Sequence, residues 1–174
     1  MRYIDWPTHP AALDPEELRK QCRLERGRAT GPGGQRRDKV ETAVRLRHEE
    51  TGVEASAGER RSAAENEQQA LRRLRLELAL ALRVPWNSRR APSSRWRRRR
   101  RRDGRLEIRT GHADFPALLA EALDAAVGFE DDLSAAAQAL GVSTSQMVRL
   151  LAMEPRGLAA VNQRRRDRGL HAFR

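Results

Sequence analysis

Apolar and polar positions alternate in two stretches of the N-terminal half of the chain and then change to a helical period. Residues 20–26 put Cys22 and Leu24 on one side and Arg23 and Glu25 on the other, the two-residue repeat of a half-buried strand. Ala43-Val44-Arg45-Leu46-Arg47-His48 alternates again, and Val53-Glu54-Ala55-Ser56-Ala57 follows Glu49-Glu50-Thr51-Gly52, whose glycine takes the positive φ that a hairpin turn needs. Ahead of them, Asp14-Pro15-Glu16-Glu17-Leu18 reads as a short helix capped by Asp14, with Pro15 at its first position. Ser62-Ala63-Ala64-Glu65 has capping-box spacing, and Leu71, Leu74, Leu78 and Leu82 continue one apolar stripe until Pro85 interrupts. This order predicts an α+β domain over residues 10–85, a small mixed β-sheet covered by one long helix.

Between the first strand and the hairpin, Ala29-Thr30-Gly31-Pro32-Gly33-Gly34-Gln35 is too rich in glycine for either regular structure and reads as a loop. Past residue 85 the character changes. Residues 86–113 are dominated by proline, serine and arginine, with an unbroken run from Arg97 to Arg102. Such a basic linker repels itself and is expected to stay disordered until it meets RNA, with Trp86 and Trp96 available for stacking. Extended, its roughly 25 residues would reach at most ~80 Å. Helical periodicity returns in Phe115, Leu118, Leu119, Ala122 and Ala126 and stops at Gly128. Residues 133–150 then carry helix-turn-helix spacing: Ala136, Ala137 and Leu140, a turn at Gly141, then Val142, Met147 and Leu150, with Ser143 or Ser145 capping the second helix and Gln146 and Arg149 facing outward. A further helix carries Arg164, Arg165, Arg166 and Arg168. Residues 114–174 are thus expected to form a small all-α, helix-turn-helix-like RNA-binding module.

The formal net charge is +11, and an anionic partner, RNA first, follows from it. Nearly all of that charge is arginine, since only Lys20 and Lys39 are lysines; a GC-rich genome would inflate arginine and alanine together, which weakens the case for any one arginine but leaves the field they create. Cys22 is the only cysteine, so neither an intramolecular disulfide nor a cysteine metal cluster can form. No signal-like segment and no run of ~20 apolar residues is present, so a cytoplasmic monomer without a membrane partner is expected.

Gly33 and Gly34 side by side cost conformational entropy, about 1 kcal/mol each relative to alanine in regular structure, and they let main-chain N–H groups come close to a developing oxyanion. Gln35 adds a neutral donor and acceptor. The four histidines, His9, His48, His112 and His171, are scattered and read as packed or solvated rather than catalytic. Residues 28–47, Arg-Ala-Thr-Gly-Pro-Gly-Gly-Gln-Arg-Arg-Asp-Lys-Val-Glu-Thr-Ala-Val-Arg-Leu-Arg, resemble the catalytic domain of bacterial class I peptide-chain release factors, in which Gly-Pro-Gly-Gly-Gln precedes a lysine and an Ala-Val that opens a strand. His48 to Ala57 is similar to that domain's threonine-glycine hairpin, and Glu59-Arg60-Arg61-Ser62 through Asn66 to the start of its helix, so the likeness covers residues 14–84 in order.

The resemblance implies hydrolysis of the ester between a nascent peptide and the terminal ribose of tRNA, with Gly33, Gly34 and Gln35 as the catalytic positions. It implies no metal and no cofactor. In that family the glutamine's backbone N–H serves the oxyanion and the leaving ribose oxygen, while its side chain shapes a pocket for water. One departure stands out: Arg36-Arg37-Asp38-Lys39 replaces a pattern such as His-Val-Asn-Lys. Asp38 either pairs with Arg37 or caps a short helix containing Val40 and Glu41. Full-length release factors have further domains that read stop codons, for which this chain is too short, so the expectation narrows to a codon-independent rescue hydrolase whose partners are large-subunit rRNA and peptidyl-tRNA. Candidate RNA contacts are Arg36, Arg37, Lys39, Arg97, Arg98, Arg99, Arg100, Arg101, Arg102, Gln146 and Arg149. The competing class is a non-enzymatic binder, either a ribosome-assembly factor or a helix-turn-helix regulator.

Overall fold

The computed structural model describes residues 2–5, 8–27, 42–87 and 90–174. Its elements run β1 (Arg2–Tyr3), a 3-10 turn (Pro10–Ala12), α1 (Pro15–Lys20), β2 (Cys22–Gly27), β3 (Ala43–His48), β4 (Glu54–Ala57), α2 (Ala63–Ala81), β5 (Leu82–Arg83), α3 (Ser94–Arg99), α4 (Phe115–Gly128), α5 (Leu133–Leu140), α6 (Thr144–Ala152) and α7 (Pro155–Asp167). The α+β class and the long covering helix are those expected from the pattern.

Strands β2, β3 and β4 pair antiparallel in that order, in register from Cys22 opposite His48 to Gly27 opposite Ala43. The alternation has its expected consequence: Cys22, Val44, Leu46 and Ala57 are buried. They share a core with Ala70, Leu74 and Leu78 of α2, the side chains that lie at helical spacing on its inner face. Ser62 Oγ accepts the Glu65 amide at 3.4 Å to start α2. Leu82, the last member of the predicted stripe, lies beyond the helix in β5, which pairs in parallel with β1. That two-residue pairing is too short to leave a periodic signal.

Two expectations are corrected. At Asp14 the side chain caps nothing; Pro15 has already removed one amide, and the carboxylate instead faces Arg95 at 3.8 Å. Nor is the arginine-rich segment disordered. Ser93 caps α3 and donates Oγ–H to Glu121, and Trp96 is fully buried with its indole N–H donated to Leu140 O at 2.9 Å. The physical reason is that one large apolar side chain inside the run supplies an anchor, while Arg95 and Arg99 meet a shared counter-charge in Asp114 at 3.1 and 2.8 Å. The ~80 Å reach of an extended chain therefore does not apply. The further helix is α7, and its arginines meet a turn of the chain: Arg164 grips the buried Asp131 carboxylate in a fork (2.6 and 2.8 Å), Arg165 donates to Asp131 O and Arg168 to Glu130 O. These three guanidiniums hold that turn, in which Glu130 and Asp131 adopt positive φ (54° and 62°).

The helical module has the predicted turn. α5 is capped by Asp132, ends at Gly141 in the left-handed conformation (φ 68°), and α6 starts with Ser143, the serine of the two candidates that caps. Gly128 at the end of α4 lies against Trp86: a Cβ there would sit 2.6 Å from Trp86 Cβ. The core is continuous through both halves of the chain. At their junction Arg83 and Asp124, 2% and 1% exposed, form an ion pair at 3.3 Å. Arg83 also donates to Ala79 O and Leu80 O at the end of α2, and Asp124 accepts the Val84 amide at 3.1 Å.

At about pH 8, Arg83→Leu or Asp124→Leu should each cost about 3–5 kcal/mol in urea unfolding, because each strands a buried charge, and the double variant should recover much of the loss. Burial also sets an acid response. It lowers the His9 imidazole to about 4, with Ala11 N donating to Nδ1 and Nε2–H donating to Leu82 O, and it pushes the Asp124 carboxyl up to about 7 against the pull of Arg83. As pH falls from 6.5 to about 4, the unfolded chain takes a proton at His9 that the fold refuses, which lowers stability. As pH falls from about 7 to 3.8, the fold takes a proton at Asp124 that the unfolded chain refuses, which raises it. Asp124→Asn removes only the second effect, so over that range its stability should drop about 3 kcal/mol more steeply than the parent's. Parallel curves from unfolding at several pH values would contradict this assignment.

Candidate catalytic loop and nucleic-acid interface

The sequence places its chemistry between β2 and β3, and residues 28–41 lie outside the described residues, so Gly33, Gly34, Gln35, Arg36, Arg37 and Lys39, and the two roles weighed for Asp38, are not located. Both ends of the loop are. Gly27 and Ala43 face each other as the last pair of the ladder. Immediately beyond, Thr42 O accepts Asn66 Nδ2–H at 2.7 Å. Asn66 is fully buried, and its amide also accepts the Arg60 amide and donates to Arg60 O, both at 2.9 Å. One side chain on the first turn of α2 thus ties the loop's C-terminal stem to the segment that leads into the helix.

At the opposite end of the same ladder His48 is buried between Thr51 Oγ1 (2.8 Å) and Gln21 Oε1 (3.1 Å), and burial lowers its pKa. It packs, as His9 does. The outer face of the sheet carries paired charges: Arg45 and Arg47 share Glu54, and Arg23 lies 3.6 Å from Glu25. Such exposed pairs contribute little to stability. Glu59 is held below its usual range by the Gly58 amide, with Arg73 adding to the effect.

The six arginines of the run divide by partner. Arg97 donates to Pro92 O, Arg99 to Asp114, Arg100 to Gly141 O at 2.9 Å and Arg101 to Glu107 at 2.7 Å. Arg98 and Arg102 are exposed, and no described residue pairs with their side chains. Gln146 and Arg149 stand on one face of α6, bordering a cleft whose opposite wall is residues 105–109. Trp86 and Trp96, expected to stack on bases, do not reach solvent to do so: Trp96 is fully buried, and Trp86 is covered by Gly128 and by the Arg90 guanidinium 4.8 Å above its ring. Among the described residues no group of three or more His, Cys, Asp or Glu is placed to hold a metal ion, and no helix is long and apolar enough to cross a membrane.

Residues 13–114 match the RF-1 domain family. The chain belongs to that family. The match runs through α3 to Asp114, the carboxylate that receives Arg95 and Arg99. Among curated proteins the chain is similar to peptide chain release factor 1 of Thermotoga maritima (45% identity over 66 residues, 38% of this chain and 18% of that protein). It is also similar to the proteins of the same name from Kineococcus radiotolerans (40% over 67 residues, 38% and 18%) and Streptomyces griseus (39% over 69 residues, 40% and 19%). The aligned stretch spans less than a fifth of the length of these relatives.

Asn66→Ala would leave Thr42 O, Arg60 N and Arg60 O without their buried partner and should cost about 2–4 kcal/mol by thermal or urea unfolding. In the basic segment, Arg99→Gln, which removes a half-buried partner of Asp114, should lower stability by about 1–3 kcal/mol, while Arg98→Gln and Arg102→Gln should change it by less than about 0.5 kcal/mol. Equal losses at all three positions would overturn this division.

Proposed function

We propose that this protein hydrolyses the ester of peptidyl-tRNA on the ribosome without reading a stop codon. One observation carries the reading: in a chain of the RF-1 domain family, Gly33-Gly34-Gln35 falls in the segment between Gly27 and Ala43, whose two ends are fixed in register and braced by Asn66. A glycine pair there frees the main chain to direct N–H groups at the oxyanion, with Gln35 contributing its own N–H and a side chain that admits water. The chemistry asks for no protein nucleophile, and the buried, hydrogen-bonded states of His9 and His48 accord with that. Arg36, Arg37 and Lys39 contact rRNA phosphates, a role suited to their charge.

The packed helical module favours a particular substrate. A module tied into the domain core by Arg83 and Asp124 cannot thread an mRNA channel as a tail would. The preferred particle is therefore a large subunit obstructed by peptidyl-tRNA, rather than an intact ribosome with an empty channel. Of the two non-enzymatic alternatives, the helix-turn-helix regulator loses support because residues 105–109 stand beside the face of α6 that would have to enter a duplex groove.

Purified protein should release peptide from large-subunit complexes carrying peptidyl-tRNA, with no stop codon present. Gly34→Ala should slow release by roughly 100-fold and Gln35→Ala by at least roughly tenfold. Variants as fast as the parent would sink the catalytic assignment, and faster release from intact ribosomes on truncated mRNA would sink the choice of particle.

A further inference from the structure

The cleft between α6 and residues 105–112 has a composition that the ester chemistry does not use. It encloses about 370 Å³, near the lower end of the roughly 300–1,000 Å³ of small-ligand pockets. Its floor is apolar, formed by Ile108, Leu150 and Met153 with Leu106 beside them. Around this floor stand Arg105, Arg109 and Arg149, all exposed and none with an acidic partner among the described residues. The one carboxylate on the rim, Glu107, is already paired with Arg101 at 2.7 Å. Gln146 adds an amide able both to donate and to accept. Because Gln146, Arg149, Leu150 and Met153 recur at three- and four-residue intervals, α6 and the residue after it present them on one face.

Three unneutralised guanidiniums around an apolar floor combine two recognition chemistries. The charges suit phosphates spaced along a backbone, and the floor suits the flat face of an unpaired base, with a guanidinium plane available to stack on it. A duplex is a poor occupant, because its bases are hidden in the stack and the wall at residues 105–109 keeps α6 from protruding into a groove. The geometry points to a binding site for single-stranded RNA, with one unstacked nucleotide seated between α6 and residues 105–109. The site rests on the reading that the protein works on RNA, and is independent of the ester chemistry.

The probe is a short fluorescent oligouridylate, titrated with the full chain and followed by anisotropy at several salt concentrations, against an RNA duplex of the same length. Arg105→Gln, Arg109→Gln and Arg149→Gln together should weaken single-strand binding at least about tenfold and flatten the salt dependence by about 2 in log K against log salt, at about 0.7 per phosphate. A control triple of Arg23→Gln, Arg47→Gln and Arg166→Gln removes the same charge elsewhere and should stay within about twofold of the parent. Equal weakening by the control means a diffuse basic surface and overturns the site, as does a duplex bound as tightly as the single strand. Should the cleft triple melt early, photocrosslinking of thiouridine RNA to the parent decides: crosslinks in residues 105–112 and 146–153 support the site, and crosslinks confined elsewhere overturn it. Peptide release without oligonucleotide binding rejects this inference alone; binding through the cleft without peptide release rejects the hydrolase alone.

Discussion

One buried ion pair fixes how the two halves of this chain, joined by a continuous apolar core, sit against each other. Arg83 comes just after the long helix α2 and donates to the carbonyls of Ala79 and Leu80, the acceptors that a helix end leaves open. The same guanidinium reaches Asp124 on α4, and Asp124 also receives the Val84 amide. One residue therefore ends α2 and anchors α4 against it. Desolvation makes such a pair a modest net contributor when intact and a severe defect when broken, so its main effect is to specify one arrangement of the halves. Arg75 and Arg95 reinforce that arrangement at the rim, Arg75 by donating to Ala11 O and Ala113 O, and Arg95 by donating to Ala12 O while paired with Asp114.

Arginine is thus used in two ways. In the interior and at Arg95, Arg97, Arg99, Arg100 and Arg101, guanidiniums bind carbonyls and carboxylates of their own chain, where a planar fork loses less on ordering than a lysine would. The remaining exposed ones carry the net field. A count of charges cannot separate the two uses, because the partners of Arg83, Arg99 and Arg164 lie 41, 15 and 33 residues away in sequence.

That separation in sequence also explains what could and could not be read from the chain. Strands β2 to β4, the Ser62 cap of α2 and the Gly141 turn are set by local pattern, and each shows in a window of a few residues. The order of the 86–113 segment rests on Trp96 meeting Leu140 O, a contact between positions 44 apart, so a rule based on charge density predicted disorder. Likewise the Gly-Gly-Gln tripeptide is visible as a motif, whereas the cleft exists only because residues 105–109 fold back beside α6. Arg105 and Arg109 lie outside the unbroken run that drew notice, and nothing in their own neighbourhood marks them.

The chain of supports from the loop to the cleft is continuous. Asn66 ties the loop stem to the first turn of α2, Arg83 ties the last turn of α2 to α4, and α4 packs on α5, α6 and α7. Most of the nineteen-residue helix α2 lies between the first two ties, and a helix transmits position with little give. A ligand seated against α6 is therefore held at a set distance from the stem of the Gly-Gly-Gln segment. With a flexible linker, binding at one end would only raise the local concentration of the other. With a packed junction it also fixes the orientation of the bound group relative to that stem, which a tether alone cannot do.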